Sequence, residues 1–320
     1  MNKGLVTVFG GSGFVGKYVV RALCRDGWRV RVAARRPHTC QDLKVIGNVG
    51  QVQLMQANIR FPKSVERAVE GADAVVNLVA VLFEEGKQNF KSLHVKGSST
   101  VAEAAARAGV TNYVQMSAIG ADVDSESDYA RTKGLGEQAV REAMPSADIM
   151  RPSIIFGEED DFFNRFAAMS QFSPALPLIG GGHTKFQPAY VGDVADAIAK
   201  AISQGTTGET YELGGPSIYS FKCLLTFMLE SIDRKRMLLP VPWIGANMLG
   251  AAGDLSGMLP FVKPFLTKDQ VTNLKYDNVV ADNAKGFADL GIETETIEAI
   301  VPDYLGRFRK YGQFHEKRDA

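Results

Sequence analysis

The sequence has few cysteines, no net charge and no long hydrophobic run. Its three cysteines, Cys24, Cys40 and Cys223, are far apart and show no metal-ligand spacing, which excludes a disulfide framework and favours a reducing compartment. The 36 basic and 36 acidic residues cancel, so the composition gives no reason to expect nucleic acid as a partner. Since no stretch of about 18 apolar residues is free of proline and charge, we expect no membrane span.

The chain does contain enough apolar material for a sizeable core. Its 320 residues are 45% hydrophobic, which suits one large domain or two modest ones. The N-terminus leads directly into a predicted strand. We therefore expect no signal or transit peptide before it.

A strand, a glycine turn and a helix open the sequence. Leu5–Phe9 has the apolar, β-branched composition of a strand, residues 10–16 are rich in glycine, and residues 17–26 are predicted to be helical. In this context the glycine pattern predicts dinucleotide binding, with the pyrophosphate at the helix N-terminus. The expected cofactor contacts in the turn are Gly10, Ser12, Gly13, Phe14, Val15 and Gly16.

Alternating strands and helices continue through the first half of the chain. The further predicted strands are 28–34, 52–56, 74–79, 113–116 and 148–150, and the helices between them are 62–70, 88–108 and 127–143. This alternation predicts a Rossmann-type, doubly wound parallel sheet. After about residue 151 prolines cluster and strands become short, as at 209–213. We therefore expect an NADP(H)-binding domain at 1–150, with parts of 185–215 returning to it, and a smaller irregular lobe at 151–320.

The residues after the second and third strands indicate which dinucleotide binds. Arg35 and Arg36 stand where an acid would bind the 2′-hydroxyl of NAD, and arginine there suits the 2′-phosphate of NADP(H). The alternative is a pair of solvated surface arginines. Asn58 and Ile59 are expected beside the adenine. The segment expected to pass the adenine-side ribose is Leu78, Val79 and Ala80.

A serine, a tyrosine and a lysine form the candidate catalytic group. Ser117 follows a predicted strand, and Tyr129 and Lys133 have the i, i+4 spacing that puts both on one helix face. A neighbouring ammonium favours the phenolate form of a tyrosine, which allows proton exchange with a substrate hydroxyl during hydride transfer. Ser117 would hydrogen-bond the same oxygen. The alternative is that the tyrosine and lysine merely line a helix surface.

These motifs together resemble the extended and atypical short-chain dehydrogenase/reductase superfamily. The matching segments, between residue 4 and about 215, are 10–16, 77–80, Ser117, Tyr129, Lys133, 151–157 and 190–195. The resemblance implies a Rossmann domain with a C-terminal substrate lobe, NAD(P) as cofactor, and Pro152 and Ile154 among the cofactor contacts. His94 stands where extended members usually carry asparagine, which weakens the enzymatic interpretation. We expect Asp193 to cap a helix.

A narrower resemblance covers nearly the whole chain. Residues 129–137, 151–160, 186–194, 214–217 and 238–242 are similar to the family of NADPH-binding accessory subunits of respiratory complex I, an NADH:quinone oxidoreductase. That resemblance implies NADPH as a structural cofactor without turnover, and a place beside other subunits near the quinone site. The expected location is the cytoplasmic face of a bacterial inner membrane, or the matrix side of the mitochondrial one. The alternative is a soluble NADP-dependent reductase, epimerase or dehydratase.

An almost uncharged C-terminal segment is the candidate interaction surface. Residues 237–265 are interrupted only by Asp254 and Lys263, and the basic run 234–236 precedes them. Such a combination indicates contact of residues 234–266 with lipid headgroups or a hydrophobic partner; the alternative is a core helix pair. Its large apolar residues are Trp243, Met248, Leu249, Met258, Leu259, Phe261 and Phe265. We expect the basic tail, 307–318, to be solvated or to dock on protein, not on nucleic acid.

Overall fold

The computed structural model of the protein describes residues 3–257 and 264–312. The chain divides into two compact units. The first unit contains Met1–Pro152, Gly192–Leu213 and Ala281–Glu293, and the second contains Ser153–Val191, Gly214–Val280 and Thr294–Ala320. Among the described residues, no helix combines the length and the apolar character needed to cross a bilayer.

The strands alternate with helices in the first unit, and most strands of the second unit have only two residues. In chain order the strands are β1 Leu5–Phe9, β2 Arg29–Ala34, β3 Val52–Gln56, β4 Ala74–Asn77, β5 Asn112–Met116, β6 Asp148–Pro152, β7 Ile155–Phe156, β8 Ala175–Ile179, β9 Lys185–Phe186, β10 Ala189–Tyr190, β11 Thr210–Leu213, β12 Tyr219–Ser220 and β13 Met237–Val241. The helices are α1 Phe14–Arg25, α2 Pro62–Val69, α3 Lys96–Arg107, α4 Asp128–Ala143, α5 Phe163–Phe172, α6 Val191–Gln204, α7 Phe221–Ser231, α8 Trp243–Gly257, α9 Lys268–Asn273 and α10 Ile297–Leu305.

The first unit is built on a parallel sheet with the order β11-β6-β5-β4-β1-β2-β3. The prediction of a Rossmann-type doubly wound sheet is confirmed. Strands β1 and β4 are buried along their whole length, which explains their continuous apolar sequences. Strand order reverses between β1 and β4, and ligands of such sheets bind beyond the carboxyl ends of the strands at this switch point. The glycine turn after β1 lies there.

The last strand of this sheet, β11, is held to β6 by a buried carboxylate. Asp148 is 2% exposed, and its Oδ1 accepts hydrogen bonds from the backbone N–H groups of Thr207, Gly208 and Glu209 at 3.0, 3.0 and 2.9 Å. Burial raises the pKa of Asp148, and these three donors oppose that shift. The loop before β11 is therefore fixed at the edge of β6.

Two local predictions needed correction. Residues 88–108 do not form one helix, because a π-helical turn at Lys91–Val95 precedes α3. Asp193 is not the N-cap residue, because α6 begins at Val191 and places this carboxylate inside the first turn. There it still interacts favourably with the positive end of the helix dipole.

The second unit has a core rich in phenylalanine. Its strands pair only two at a time, as β10 with β7, β12 with β9 and β13 with β8. Helices α5, α7 and α10 pack together around this core. Its largest buried aromatic side chains are Phe156, Phe163, Phe186 and Phe221. The prediction of a smaller irregular lobe is confirmed.

Candidate nucleotide site

The turn after β1 brings glycine backbones into direct contact. Gly10 has a φ of +81°, and its carbonyl oxygen accepts a hydrogen bond from the N–H of Gly13 at 3.0 Å. A Cβ atom on Gly16 would lie 2.3 Å from the same carbonyl oxygen. Only glycine therefore lets α1 approach the turn this closely.

The remaining turn residues leave the start of α1 open. A Cβ atom on Gly13 would meet only the carbonyl oxygen of Gly10, at 3.4 Å. Gly13 is exposed, and its neighbours Ser12, Phe14 and Val15 are half-buried. Since α1 begins at Phe14, the first-turn N–H groups that lack a partner within the helix lie beside this open surface. The cradle fits a pyrophosphate group.

The loop after β4 passes directly beside the glycine turn. A Cβ atom on Gly10 would lie 3.3 Å from both the carbonyl carbon of Leu78 and the nitrogen of Val79. The buried side chain of Asn77 shapes this loop, since its Oδ1 accepts a hydrogen bond from the N–H of Val79 at 3.2 Å. Leu78 and Val79 are half-buried, and Ala80 is exposed. The structure thus brings the two predicted cofactor segments together.

Both arginines after β2 are exposed. The guanidinium of Arg35 donates a hydrogen bond to Oε1 of Gln88. Among the described residues, the guanidinium of Arg36 has no hydrogen-bond partner. No acid occupies positions 34–36, so the strand end presents two cations, which suits a phosphate better than a hydroxyl.

The residues after β3 have different surroundings. Asn58 is half-buried, and its Oδ1 accepts a hydrogen bond from the N–H of Arg60 at 3.1 Å. Ile59 is 4% exposed, and a Cβ atom on Gly97 of α3 would lie 2.4 Å from its Cδ1. Its side chain therefore packs into the core. Sequence reasoning missed Arg60, whose guanidinium donates to the carbonyl oxygen of Lys87 at 3.0 Å; its position next to Asn58 and Ile59 was the available signal.

Tyr129 and Lys133 lie together at the start of α4. Ser127 caps this helix, and its hydroxyl oxygen accepts a hydrogen bond from the N–H of Ala130 at 3.2 Å. The Nζ of Lys133 lies 5.8 Å from the centroid of the Tyr129 ring and donates to the carbonyl oxygen of Met116 at 3.3 Å. The i, i+4 spacing therefore delivers both groups to the carboxyl end of β5.

The ammonium of Lys133 is buried within the first unit. Its residue is 5% exposed, and burial lowers its pKa to about 8, while the carboxylate of Glu137 acts in the opposite direction. A lysine with such a pKa exchanges protons readily near neutral pH.

The hydroxyl of Ser117 is engaged elsewhere. It donates a hydrogen bond to Oε1 of Glu137, one helical turn beyond Lys133. The same carboxylate receives the Nε and a terminal nitrogen of Arg151 at 2.9 and 2.6 Å, and Arg151 also reaches Glu212 at 3.6 Å. These carboxylates raise the pKa of Arg151, most strongly through the hydrogen bonds to Glu137. The sequence offered no signal for this chain of contacts.

His94 is enclosed by aromatic and polar groups. Its Nε2 accepts a hydrogen bond from the N–H of Val81 at 3.2 Å, and its Nδ1 lies 3.1 Å from the hydroxyl oxygen of Thr132. The imidazole stacks on Phe90, with centroids 5.3 Å apart, and meets Tyr129 edge to face at 5.5 Å. The histidine that replaces the usual asparagine therefore contacts both the loop after β4 and the candidate tyrosine.

A narrow crevice collects the polar side chains around the end of β5. Its lining residues are Val79, His94, Ser98, Gln115, Met116, Ser117, Lys133, Gly136 and Glu137.

Within the described residues, no group of His, Cys, Asp and Glu side chains is arranged to hold a metal ion.

The last two predicted cofactor contacts fall in different units. Pro152 ends β6 in the first unit, and its carbonyl oxygen accepts a hydrogen bond from the N–H of Ile119 at 3.0 Å. Ile154 belongs to the second unit and packs against the phenylalanine-rich core. Its carbonyl oxygen accepts from the N–H of Ala189 at 2.9 Å.

The predicted interaction segment forms a helix with its large side chains outside. We call Ile244, Met248 and Leu255 the α8 apolar face; these residues are 79, 71 and 69% exposed, and Leu249, which is 47% exposed, flanks this face. The small residues of α8 pack inward instead. A Cβ atom on Gly253 would lie 1.8 Å from the carbonyl oxygen of Leu266, and one on Gly250 2.9 Å from Cα of Lys268.

Trp243 does not belong to this face. A Cβ atom on Gly180 would lie 2.3 Å from its indole ring, so the ring is packed within the second unit. Phe265 is 38% exposed and lies under the guanidinium of Arg165, 5.0 Å from the ring centroid. The predicted members Met258, Leu259, Phe261 and Lys263 lie outside the described residues.

The basic run before β13 is only partly available to a partner. The Nε of Arg234 donates to the carbonyl oxygen of Phe308 at 2.9 Å, and the Nε of Arg236 donates to that of Ser170 at 2.8 Å. Lys235 is exposed. The predicted contact of this basic run with lipid headgroups or a hydrophobic partner stays a prediction, and Lys235 is its exposed cation, because the other two side chains bind backbone carbonyl groups.

Part of the basic tail also docks on the second unit. Arg307 donates to Oδ1 of Asn164 at 2.6 Å, and the Nε of Arg309 donates to the carbonyl oxygen of Ser231 at 3.1 Å. Lys317 and Arg318 lie outside the described residues.

Comparison with known proteins supplies the family. Residues 6–214 match the model of the NAD dependent epimerase/dehydratase family. The chain is 34% identical over 316 residues to the NADH dehydrogenase [ubiquinone] 1 alpha subcomplex subunit 9 of Arabidopsis thaliana, covering 96% of this chain and 79% of that protein. It is 33% identical over 314 residues to the Mus musculus protein of the same name, with 96% and 81% coverage.

Solved structures show the same fold at low identity. The NADPH-dependent quinone oxidoreductase of Escherichia coli, complexed with NADPH, aligns with a TM-score of 0.73 and 20% identity over 94% of this chain and 99% of that one. At this identity the likeness concerns the fold alone.

Proposed function

We propose that this chain is an NADPH-binding accessory subunit of respiratory complex I. The chain belongs to the NAD dependent epimerase/dehydratase family, and within that family it is similar to alpha subcomplex subunit 9 proteins. The nucleotide stabilises the folded subunit and is not consumed. The protein associates peripherally with the inner membrane, on the cytoplasmic face in a bacterium or the matrix side in a mitochondrion. Its partners are complex I subunits near the quinone site.

The close approach of Gly16 to Gly10 carries the nucleotide part of this proposal. A Cβ atom at Gly16 would lie 2.3 Å from the Gly10 carbonyl oxygen, so the helix N-terminus is drawn into the switch point of the sheet. Such a terminus binds a pyrophosphate through its N–H groups and its partial positive charge. The loop at Leu78 and Val79, beside Gly10, borders the same space.

Arg35 and Arg36 support NADPH over NADH. Both side chains are exposed at the carboxyl end of β2. None of the residues 34–36 is an acid that could accept a hydrogen bond from a ribose 2′-hydroxyl. Guanidinium groups bind a 2′-phosphate through charge-assisted hydrogen bonds. Arg60, in the loop after the neighbouring strand β3, is a further candidate for this phosphate.

The α8 apolar face supports peripheral contact with lipid. Ile244, Met248 and Leu255 follow helical spacing on one side of α8, and Asp254 is the charged residue of that helix. Exposed apolar surface of this kind marks a site of contact with a membrane or another protein, and this helix is too short to span a bilayer. The occupant we propose is therefore the bilayer surface beside the complex, and another subunit in this place is an outcome of the test.

Purification of the tagged full chain from cells that contain complex I tests the assignment. We expect NADPH to remain bound through gel filtration, no oxidation of that NADPH by a panel of carbonyl compounds, and co-purification of other NADH dehydrogenase subunits. Native mass spectrometry reports nucleotide and partners together. Crosslinking of the assembly tests whether the neighbours are those of the quinone site.

The alternative, a soluble reductase, epimerase or dehydratase, predicts the opposite result. Substrate-dependent NADPH oxidation that is lost in Tyr129→Phe, from a protein that purifies without partners, would establish it. The proximity of Tyr129 to Lys133 favours this alternative chemically, which is why the carbonyl panel belongs in the experiment.

A further inference from the structure

We propose that Ser117 is a positioning residue of the Glu137–Arg151 ion pair and not a catalytic residue, so that Tyr129 and Lys133 act at the nucleotide without the hydroxyl of Ser117. The inference rests on the proposed nucleotide site. The motif suggests that Ser117 hydrogen-bonds a substrate oxygen, and the structure assigns its hydroxyl to Glu137 instead.

The hydroxyl hydrogen of Ser117 is directed at an anion. Ser117 is 4% and Glu137 7% exposed, and the hydroxyl donates to Oε1 of this carboxylate. A serine has a single O–H donor. Because a carboxylate is a stronger acceptor than the neutral carbonyl of a substrate, a substrate would have to displace the better partner in a site sheltered from water.

The carboxylate needs this donor because it is the centre of a buried network. Arg151 approaches both oxygens of Glu137, at 2.9 and 2.6 Å, and Ser117 adds a further donor to Oε1. Buried ionised groups are tolerated when their hydrogen-bonding capacity is satisfied. The network connects the end of β5, helix α4 and strand β6, and reaches β11 through Glu212 at 3.6 Å.

The network also determines where Lys133 lies. Glu137 is one turn after Lys133 on α4, and the lysine Nζ donates to the carbonyl oxygen of Met116, the residue before Ser117. The rotation of α4 relative to β5 is therefore fixed at two points, at Lys133 itself and one turn later at Glu137. Ser117 acts on the tyrosine and lysine through this geometry, and not through contact with a reacting atom.

The test compares three variants of the full chain. Ser117→Ala removes the donor, Ser117→Thr retains it, and Ser99→Ala is the matched control, since Ser99 donates to Glu103 at 2.6 Å on the exposed side of α3. For each we would measure the melting temperature of the nucleotide-free protein, the dissociation constant for NADPH, and NADPH oxidation with carbonyl compounds. Oxidation is assayed well below every melting temperature.

We expect Ser117→Ala to lower the melting temperature by about 4 °C or more, Ser117→Thr to recover most of that loss, and Ser99→Ala to leave it unchanged. The dissociation constant of NADPH should change by less than about threefold in all of them. An unchanged melting temperature in Ser117→Ala, or NADPH affinity weakened by more than about tenfold, would overturn the inference.

The oxidation assay separates this inference from the proposed function. If the wild-type protein turns over NADPH and Ser117→Ala retains that activity while Tyr129→Phe loses it, the structural role of the nucleotide is wrong and the inference about Ser117 holds. If Ser117→Ala loses the activity with Tyr129→Phe, both are wrong.

Discussion

The imidazole of His94 accepts a hydrogen bond from the backbone N–H of Val81 at 3.2 Å, which fixes its Nε2 as the unprotonated nitrogen. Its Nδ1 then carries the hydrogen that faces Thr132. The side chain is 2% exposed. Burial and the nearby charge of Lys133 lower the pKa of His94 to about 3. A neutral histidine thus holds the loop after β4 to helix α4 across the physiological pH range.

We predict that His94→Asn makes the protein less sensitive to acid. The unfolded chain binds a proton at His94 near pH 6.5, while the folded chain does so only near pH 3, so this residue lowers stability as the pH falls through that window. Between pH 7 and pH 5 the wild type should lose about 2 kcal/mol more than the variant. Urea unfolding at a series of pH values measures the difference.

His183→Asn is the matched control, because His183 is exposed. Its unfolding free energy should follow the wild type at each pH. Identical acid sensitivity in wild type and His94→Asn would contradict the enclosed, neutral state of the imidazole.

Two glycine variants separate folding from nucleotide binding. Gly16→Ala places a Cβ atom 2.3 Å from the Gly10 carbonyl oxygen, so it should destabilise the nucleotide-free protein by about 3 kcal/mol and abolish NADPH binding. Gly13→Ala meets nothing closer than 3.4 Å and should leave that stability nearly unchanged. It should nevertheless weaken NADPH by about tenfold or more, because the pyrophosphate approaches this backbone.

Gly306→Ala, where a Cβ atom would meet nothing within 4 Å, serves as the control for both. Thermal unfolding with and without NADPH reports the two effects together, since a ligand that binds only the folded protein stabilises it more the smaller its dissociation constant is. Full NADPH affinity in Gly13→Ala would argue against the proposed pyrophosphate position.

Substitution of both arginines after β2 should erase the preference for NADPH. Arg35→Ala with Arg36→Ala removes the partners of the 2′-phosphate, so NADPH affinity should fall about tenfold to a hundredfold while NADH affinity barely changes. Titrations followed by nucleotide fluorescence measure both. Arg29→Ala removes one positive charge from the opposite end of β2, where the side chain is also exposed, and should leave both affinities unchanged.

Charge on the α8 apolar face should release the protein from membranes. Met248→Glu and Leu255→Glu each place a carboxylate at an exposed position, since the wild-type side chains are 71% and 69% exposed. Flotation with vesicles of inner-membrane composition should show at least a fivefold loss of bound protein, which corresponds to about 1 kcal/mol of membrane-binding free energy. Val49→Glu, on a fully exposed apolar residue of the first unit, is the control.

If both α8 variants still float but lose complex I subunits on purification, the face contacts protein and the proposed lipid contact is wrong. Reversal of Lys235 alone is the suitable companion test of charge. Arg234 and Arg236 are unsuitable, because their side chains bind backbone carbonyl groups within the second unit.

Local patterns predicted the parallel sheet and its glycine turn because these depend on neighbours in sequence. Leu5–Phe9 is apolar at every position since both faces of β1 are buried, and the i, i+4 spacing of Tyr129 and Lys133 follows from helix geometry. The π-helical turn at Lys91–Val95 was not predictable in the same way. It depends on long-range contacts, such as that of His94 with Val81 and of Gly97 with Ile59.

The partner of Ser117 was beyond sequence reasoning for a related reason. Glu137 and Arg151 are each common surface residue types, and only the assembled sheet brings them together as an ion pair in which the glutamate is buried. The exposed side of α8 was equally hidden, because a nearly uniform apolar helix has no polar face from which to infer its orientation. The side of α8 that packs inward is the one with the small residues, because Gly253 lets the helix approach the backbone of Leu266 closely.

The position of β11 has a consequence for synthesis of the chain. Strand β6 lies next to β11, yet β11 emerges from the ribosome nearly sixty residues later, and the segment Ala281–Glu293 of the same unit later still. Until then the outer edge of β6 is uncovered, and the carboxylate of Asp148 lacks the three backbone N–H groups that bind it in the folded protein. Nascent polypeptide shorter than this is a natural target for chaperones, and a fragment that stops at Pro152 should aggregate.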